Sequence, residues 1–222
     1  MVNISLCFRK NLCKLSLMAR RKDHTREELR EMALRSTAEL IEEEGLRDVS
    51  IRKIAAKMGY TSGTLYQLFP NLDTLLFEVN TATLRRLLEE TKAQDFALGA
   101  RHSLIGLART YLEFATRHRN LMSAVFEHHT GRRDVTPKSY EAVVTDLVSM
   151  GGRAIANLVD DETSRGVEAR VLWSALYGLV TLELAGNQSV SLDTEVLIKT
   201  LVETYVSGLE VRYGVTDRPL GG

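Results

Sequence analysis

Residues Ser50 to Phe69 read SIRKIAAKMGYTSGTLYQLF, and this stretch decides the fold. Ile54, Ala55 and Met58 fall on one face of a first helix, and Leu65 and Leu68 on the apolar face of a second. Gly59 stands between them, where the chain must turn sharply and a residue without Cβ takes positive φ at little steric cost. Two helices that cross steeply need a small side chain at their closest approach, and Ala55 supplies it. Ser50 is placed to cap the first helix, and Thr61 or Ser62 the second. This is the spacing of a helix-turn-helix, whose second helix enters the major groove of DNA. The residues left for contact on that helix are Thr61, Ser62, Gly63, Thr64, Tyr66 and Gln67. Hydroxyl, amide and phenol groups of this kind bond base edges and phosphates. Ser50, Arg52 and Lys53 complete the expected DNA-contacting set. The competing reading is an ordinary helical hairpin with a glycine turn.

The neighbouring residues carry a family resemblance. From Arg26 to Val79, with the words ALRSTAELIEEEGLRDVSIRKIAAKMGYTSGTLYQLFPNLDTLLFEV, the chain resembles the DNA-binding domain of the tetracycline-repressor (TetR) family. An amphipathic helix ending in Glu-Glu-Gly precedes the bihelical motif, and Leu65-Tyr66 and Phe69-Pro70 follow in the family's order. One departure is visible. The family's lysine shortly after Phe-Pro, which touches a phosphate, is replaced by Leu72 in Asn71-Leu72-Asp73, so that non-specific affinity is either lower or supplied by Arg52 and Lys53. The resemblance implies a dimeric repressor on a palindromic operator, released by a small apolar effector. A TetR-like activator, or a regulator governed by a protein partner, is the alternative within the family. An enzyme is the alternative from another class, but no glycine-rich phosphate loop or nucleophile elbow occurs. No cofactor is expected.

The chain has 222 residues, 29 Lys+Arg and 29 Asp+Glu, so its formal net charge is zero. The charge is unevenly spread: residues 1–70 hold 13 basic and 9 acidic residues, and the rest 16 and 20. The basic excess accompanies the helix-turn-helix, as a polyanionic partner requires. The two cysteines, Cys7 and Cys13, lie near the start, and the rest of the chain has none, which suits a reducing cytoplasm. Arg9, Lys10 and Lys14 interrupt the apolar runs there, so no signal-peptide core forms. Met18 resembles a second beginning, and residues 1–22 are read as a disordered or mis-assigned extension.

Only three prolines occur and no strand-like alternation stands out, so an all-α fold of about nine helices is expected. Residues 23–72 form the helix-turn-helix domain, with Thr25 and Glu28 as a capping box at its start. Residues 73–222 form a helical effector-binding and dimerisation domain. Its first helix, from about Leu72 to Glu90, links the two. A long helix is expected from Pro137 to about Val159, with Gly151-Gly152 inside it as a kink.

The run LWSALYGLVTLELAG is apolar almost all round, and so must be covered on two sides. A two-fold dimer would cover it, with Ala175, Gly178, Leu182, Leu201 and Tyr205 at the interface. A wholly internal core is the other reading. By the resemblance, an effector cavity is expected among Phe114, Met122, Phe126, His129, Tyr140, Trp173 and Tyr177, with His128 and Met150 nearby. Plain core packing explains the same residues. No metal site is expected, since His128 and His129 point about 100° apart on a helix and have no partner at ligand spacing.

Overall fold

A computed structural model describes residues 24–128, 136–185 and 193–219. The N-terminal extension, with its cysteines and Arg20-Arg21-Lys22 cluster, and His129 lie outside the described residues. Among the described residues there are nine α-helices and no strand. They are α1 (Arg26–Glu44), α2 (Ile51–Met58), α3 (Ser62–Leu68), α4 (Leu72–Thr91), α5 (Ala100–Arg117), α6 (Arg119–Glu127), α7 (Lys138–Ala154), α8 (Glu162–Ala185) and α9 (Thr194–Tyr213). Single 3₁₀ turns at Leu46–Asp48 and Phe96–Leu98 join neighbouring helices. No helix is long and apolar enough to cross a membrane among these residues.

The caps are local and follow the sequence. Thr25 Oγ1 accepts from Glu28 N–H, and Glu28 accepts in return from Thr25 N–H at 2.7 Å. The hydrogen bonds from Thr25 hold the Glu28 carboxyl below the usual range. Ser50 Oγ accepts from Lys53 N–H at the start of α2. Gly59 has φ +76° and ψ 24°, the left-handed conformation. Its N–H bonds to Ala56 O at 3.1 Å and the next N–H, of Tyr60, to Ala55 O at 2.9 Å, so the last carbonyls of α2 are satisfied as the chain reverses. Thr61 occupies the cap position of α3, but its hydroxyl faces Thr64 Oγ1 at 3.3 Å instead of capping the backbone.

Two hydrophobic cores form. The head core joins Ala33, Ile41, Ile54, Ala55, Leu65 and Phe69. The body core joins α5, α7, α8 and α9 around Leu104, Phe114, Met122, Leu172 and Val202. Helix α4 belongs to both, with Leu75 and Val79 in the head and Leu84 and Leu87 in the body. Helix α6 is divided the same way: Leu121 and Ala124 complete the head core, and Met122 and Val125 the body core. Residues one apart on a helix face different sides, so nine residues serve two cores.

The clearest difference from the sequence reading is the end of α7, which stops at Ala154 rather than near Val159. Ile155, Leu158 and Val159 are fully buried, yet they sit in a turn that tertiary contacts fix. Asn157 donates to Asp217 Oδ1 at 2.9 Å and to Arg218 O at 3.1 Å, and the Arg165 guanidinium takes the carbonyls of Val159 and Asp160. Gly151 and Gly152 face α8, where a Cβ at either position would make ordinary contact with Ala169 Cβ at 3.8 Å.

Gly59 provides a direct test of this geometry. No atom would meet a Cβ there, so Gly59→Ala carries only the conformational cost of left-handed backbone, about 1 kcal/mol. We expect the urea midpoint to fall accordingly, and Gly59→Asn to fall less, because asparagine tolerates that region better.

Candidate nucleic-acid interface and the chamber behind it

The outward face of α3 is polar and open. Tyr66 is 59% exposed, Thr61, Gly63 and Gln67 are exposed, and Ser62 and Thr64 are half-buried. Leu65 and Leu68 face inward, as the apolar side of the motif requires. The predicted contact residues of α3 therefore lie wholly or partly on its open side. Ser50, at its edge, is already engaged as a cap. Arg52 is exposed, while Lys53 is bound by Glu44 at 2.6 Å, and Lys57 by Glu43 at 2.9 Å and Glu39 at 3.5 Å. These hydrogen bonds to carboxylates hold both lysines above the usual range. Leu72, in place of the family's lysine, packs half-buried against the head core.

Two residues outside the predicted set hold α3 in place. Arg26 Nη2 donates to Gln67 O at 3.2 Å, and Arg30 Nη1 to Leu68 O at 3.0 Å. Both come from α1 and satisfy carbonyls at the end of the reading helix, where cations also suit the helix dipole. Arg30 also pairs with Glu78 of α4 and lies 4.4 Å over the Phe69 ring. Burial pushes the Glu78 carboxyl up, and the Arg30 charge opposes this without cancelling it. The sequence signal is slight: Arg26 and Arg30 are one turn apart and share a face, but what lies over that face is a tertiary fact.

The body holds an almost wholly apolar cavity of about 40 Å³. Its wall includes Leu87 and Thr91 from α4, Tyr111 from α5, Met150 from α7, and Leu172 and Trp173 from α8. The expected effector residues do not converge on it. Among the described residues named for it, Trp173 and Met150 line the cavity, Trp173 stacked on Tyr111 with centroids 5.2 Å apart. Phe114 and Met122 are fully buried core. Phe126 meets Tyr177 edge-on at 4.7 Å, and Tyr140 meets Phe77 at 5.5 Å. The correction follows from helical phase: periodicity shows which face turns inward, not which inward residues surround a void. His128 lies at the junction of head and body. Its Nε2 is 3.2 Å from Asp73 Oδ1, and its Nδ1 faces Asn80 Nδ2 at 3.4 Å.

The expected interface residues divide. On α8, Leu182 is 56% exposed, Ala175 and Gly178 are half-buried, and nothing stands within 4 Å of a Cβ at Gly178. Val167 and Val171, missed in the sequence, extend the same stripe at four-residue steps and are 59% and 51% exposed. On α9, Leu201 is half-buried against the body core. Tyr205 turns back into its own chain, its hydroxyl donating to Glu168 Oε2 at 2.6 Å.

Comparison with known proteins agrees with this geometry. The family model for bacterial regulatory proteins of the tetR family matches residues 33–79, and that for the tetracyclin repressor-like C-terminal domain matches residues 104–205. The chain belongs to the TetR family of transcriptional regulators. A Bacillus subtilis relative, the uncharacterized HTH-type transcriptional regulator YobS, is 22% identical over 80% of this chain and 91% of its own length. Mycobacterium smegmatis BioQ, solved with its double-stranded DNA operator, has a TM-score of 0.60 at 21% identity, covering 82% of this chain and 98% of BioQ. FadR from Bacillus subtilis, solved with stearoyl-CoA, has a TM-score of 0.62 at 16% identity, covering 80% and 98%. At these identities the structures share the fold. In TetR terms, α2 and α3 are the DNA-binding helix-turn-helix, and α5 to α9 are the C-terminal domain.

The Lys53–Glu44 pair yields a prediction for this TetR head. If Lys53 reaches a phosphate, it must first leave Glu44. Glu44→Gln should then tighten DNA binding about twofold to fivefold, the worth of one exposed ion pair, and steepen its dependence on salt. Fluorescence anisotropy on a DNA duplex at several salt concentrations measures both; unchanged affinity and slope would place Lys53 off the DNA.

Proposed function

We propose that this chain is a dimeric repressor that binds a palindromic operator and leaves it when a small molecule enlarges the body cavity. The observation that carries the reading is the position of α4. Its C-terminal residues Leu87 and Thr91 wall the cavity, and its N-terminal residues Leu75 and Val79 are built into the DNA-binding head. A helix of 20 residues is about 30 Å long, so a small displacement at one end is carried to the other. Helix α6 supports the same coupling: Asn120 Nδ2 donates to Glu42 O at 2.7 Å and His118 lies 3.0 Å from the Glu42 carboxylate. A ligand that binds more tightly to the widened body would shift the heads, and the two reading helices would no longer enter successive grooves together.

The dimer is supported by the exposed aliphatic stripe of α8, Val167, Val171, Ala175, Gly178 and Leu182. Such a stripe, with small residues at its centre, allows two helices to pack closely about a two-fold axis. The DNA role is supported by the polar outward face of α3, and DNA occupies a protein of the same fold in the BioQ complex. Cytoplasmic placement accords with a DNA partner.

Genome-wide capture of bound DNA from cells would reveal the operator, with two half-sites about one helical turn apart or slightly more. On that operator, Thr64→Ala and Tyr66→Phe should each weaken binding about fivefold, one hydrogen bond's worth, and leave the melting temperature unchanged. Full affinity in both variants would remove α3 as the reader. Gly178→Leu should give monomers in sedimentation and abolish two-half-site binding, whereas an unaltered dimer would exclude this face.

A further inference from the structure

We infer that the body cavity takes an uncharged, largely apolar molecule carrying one hydrogen-bond acceptor, which it offers to the Tyr111 hydroxyl. This deepens the ligand-release reading and rests on it for its regulatory meaning. Tyr111 is 3% exposed and its hydroxyl has no hydrogen-bond partner among the described residues. A buried hydroxyl left unpaired is destabilising, and one that borders a cavity marks where a ligand's polar atom belongs. Burial, reinforced by the nearby phenols of Tyr177 and Tyr140, pushes its ionisation far up, so it remains a donor at any working pH.

The remaining wall sets the rest of the ligand's chemistry. Leu87, Leu104, Leu107, Leu147 and Leu172 contribute only aliphatic surface, and no charged side chain lines the space. Thr91 gives its proton to Leu88 O at 2.7 Å. Besides Thr91, the side-chain donors on these walls are the Tyr111 hydroxyl and the Trp173 indole N–H, so the space is apolar over most of its surface. A charged ligand would lose its hydration with nothing to replace it.

A neighbouring groove of about 390 Å³ shares Val148 and Ala169 with the cavity and is lined by Arg153, Arg165 and Arg170, with Glu162 opposed. It offers less to an anion than this count suggests. Arg165 is bonded to the carbonyls of Val159 and Asp160 at 2.9 and 2.8 Å, and Arg153 lies 4.5 Å over the Phe96 ring. At about 40 Å³ the cavity admits little more than water, so a larger ligand is seated by spreading the helices around it, α4 among them.

Trp173, the chain's only tryptophan, is stacked on Tyr111 and reports directly on the site. Full-length protein would be titrated with cyclohexanone, methylcyclohexane and cyclohexanecarboxylate while Trp173 emission is followed. We expect cyclohexanone to give a saturable change and cyclohexanecarboxylate none. Tyr111→Phe should weaken cyclohexanone about fivefold to tenfold and leave methylcyclohexane unchanged. The same variant should melt about 2–4 °C higher without ligand, because an unpaired hydroxyl has gone, which also shows that it folds. Preferential binding of the carboxylate, equal cyclohexanone affinity in both proteins, or no saturable change with any probe would each overturn the assignment. Operator binding is read separately: Tyr111-dependent cyclohexanone binding that leaves DNA affinity unaltered would keep the site and remove the release reading.

Discussion

The reading helix is seven residues long, and a helix of that length does not hold its shape in water. Everything that depends on α3 therefore depends on what fixes it from outside. Its entry is set by the left-handed turn at Gly59, and its inner face by Leu65 and Leu68, both buried in the head core. Its exit is held by Arg26 and Arg30, which bond the carbonyls of Gln67 and Leu68. Hydrogen bonding and burial thus act on the backbone and the inner side chains. The polar face remains open without carrying any of the helix's stability.

The same economy governs the joint between head and body. Helices α4 and α6 each place residues in both cores, so neither half can be repositioned without disturbing side chains in the other. The cluster of Asp73, Asn80 and His128 lies at this joint, where α6 ends beside the N-terminal half of α4. A buried donor or acceptor tolerates little displacement before its partner is lost, so polar groups here sharpen the preference for one arrangement.

Much of the fold was legible because its determinants are local. Thr25 with Glu28, Ser50 and Gly59 each act within a few residues, and the helix ends they mark are those observed. The apolar run LWSALYGLVTLELA was likewise legible, and it forms the second half of α8. What was not legible is tertiary. The turn that follows α7 is held by Asn157, which reaches Asp217 and the Arg218 carbonyl some 60 residues away. The Lys53–Glu44 pair joins two helices, and Tyr205 finds Glu168 across 37 residues. The cavity was the least legible element. Tyr111 was readable as an inward residue, but that its hydroxyl lacks a partner depends on every side chain around it.

That orphaned hydroxyl also bears on how the protein can change over generations. A tyrosine codon becomes a phenylalanine codon by one base substitution, so the oxygen is easily lost by mutation. On energetic grounds alone its loss would be welcomed. A lineage that keeps it trades robustness for responsiveness, and one that drops it gains a sturdier but deafened protein.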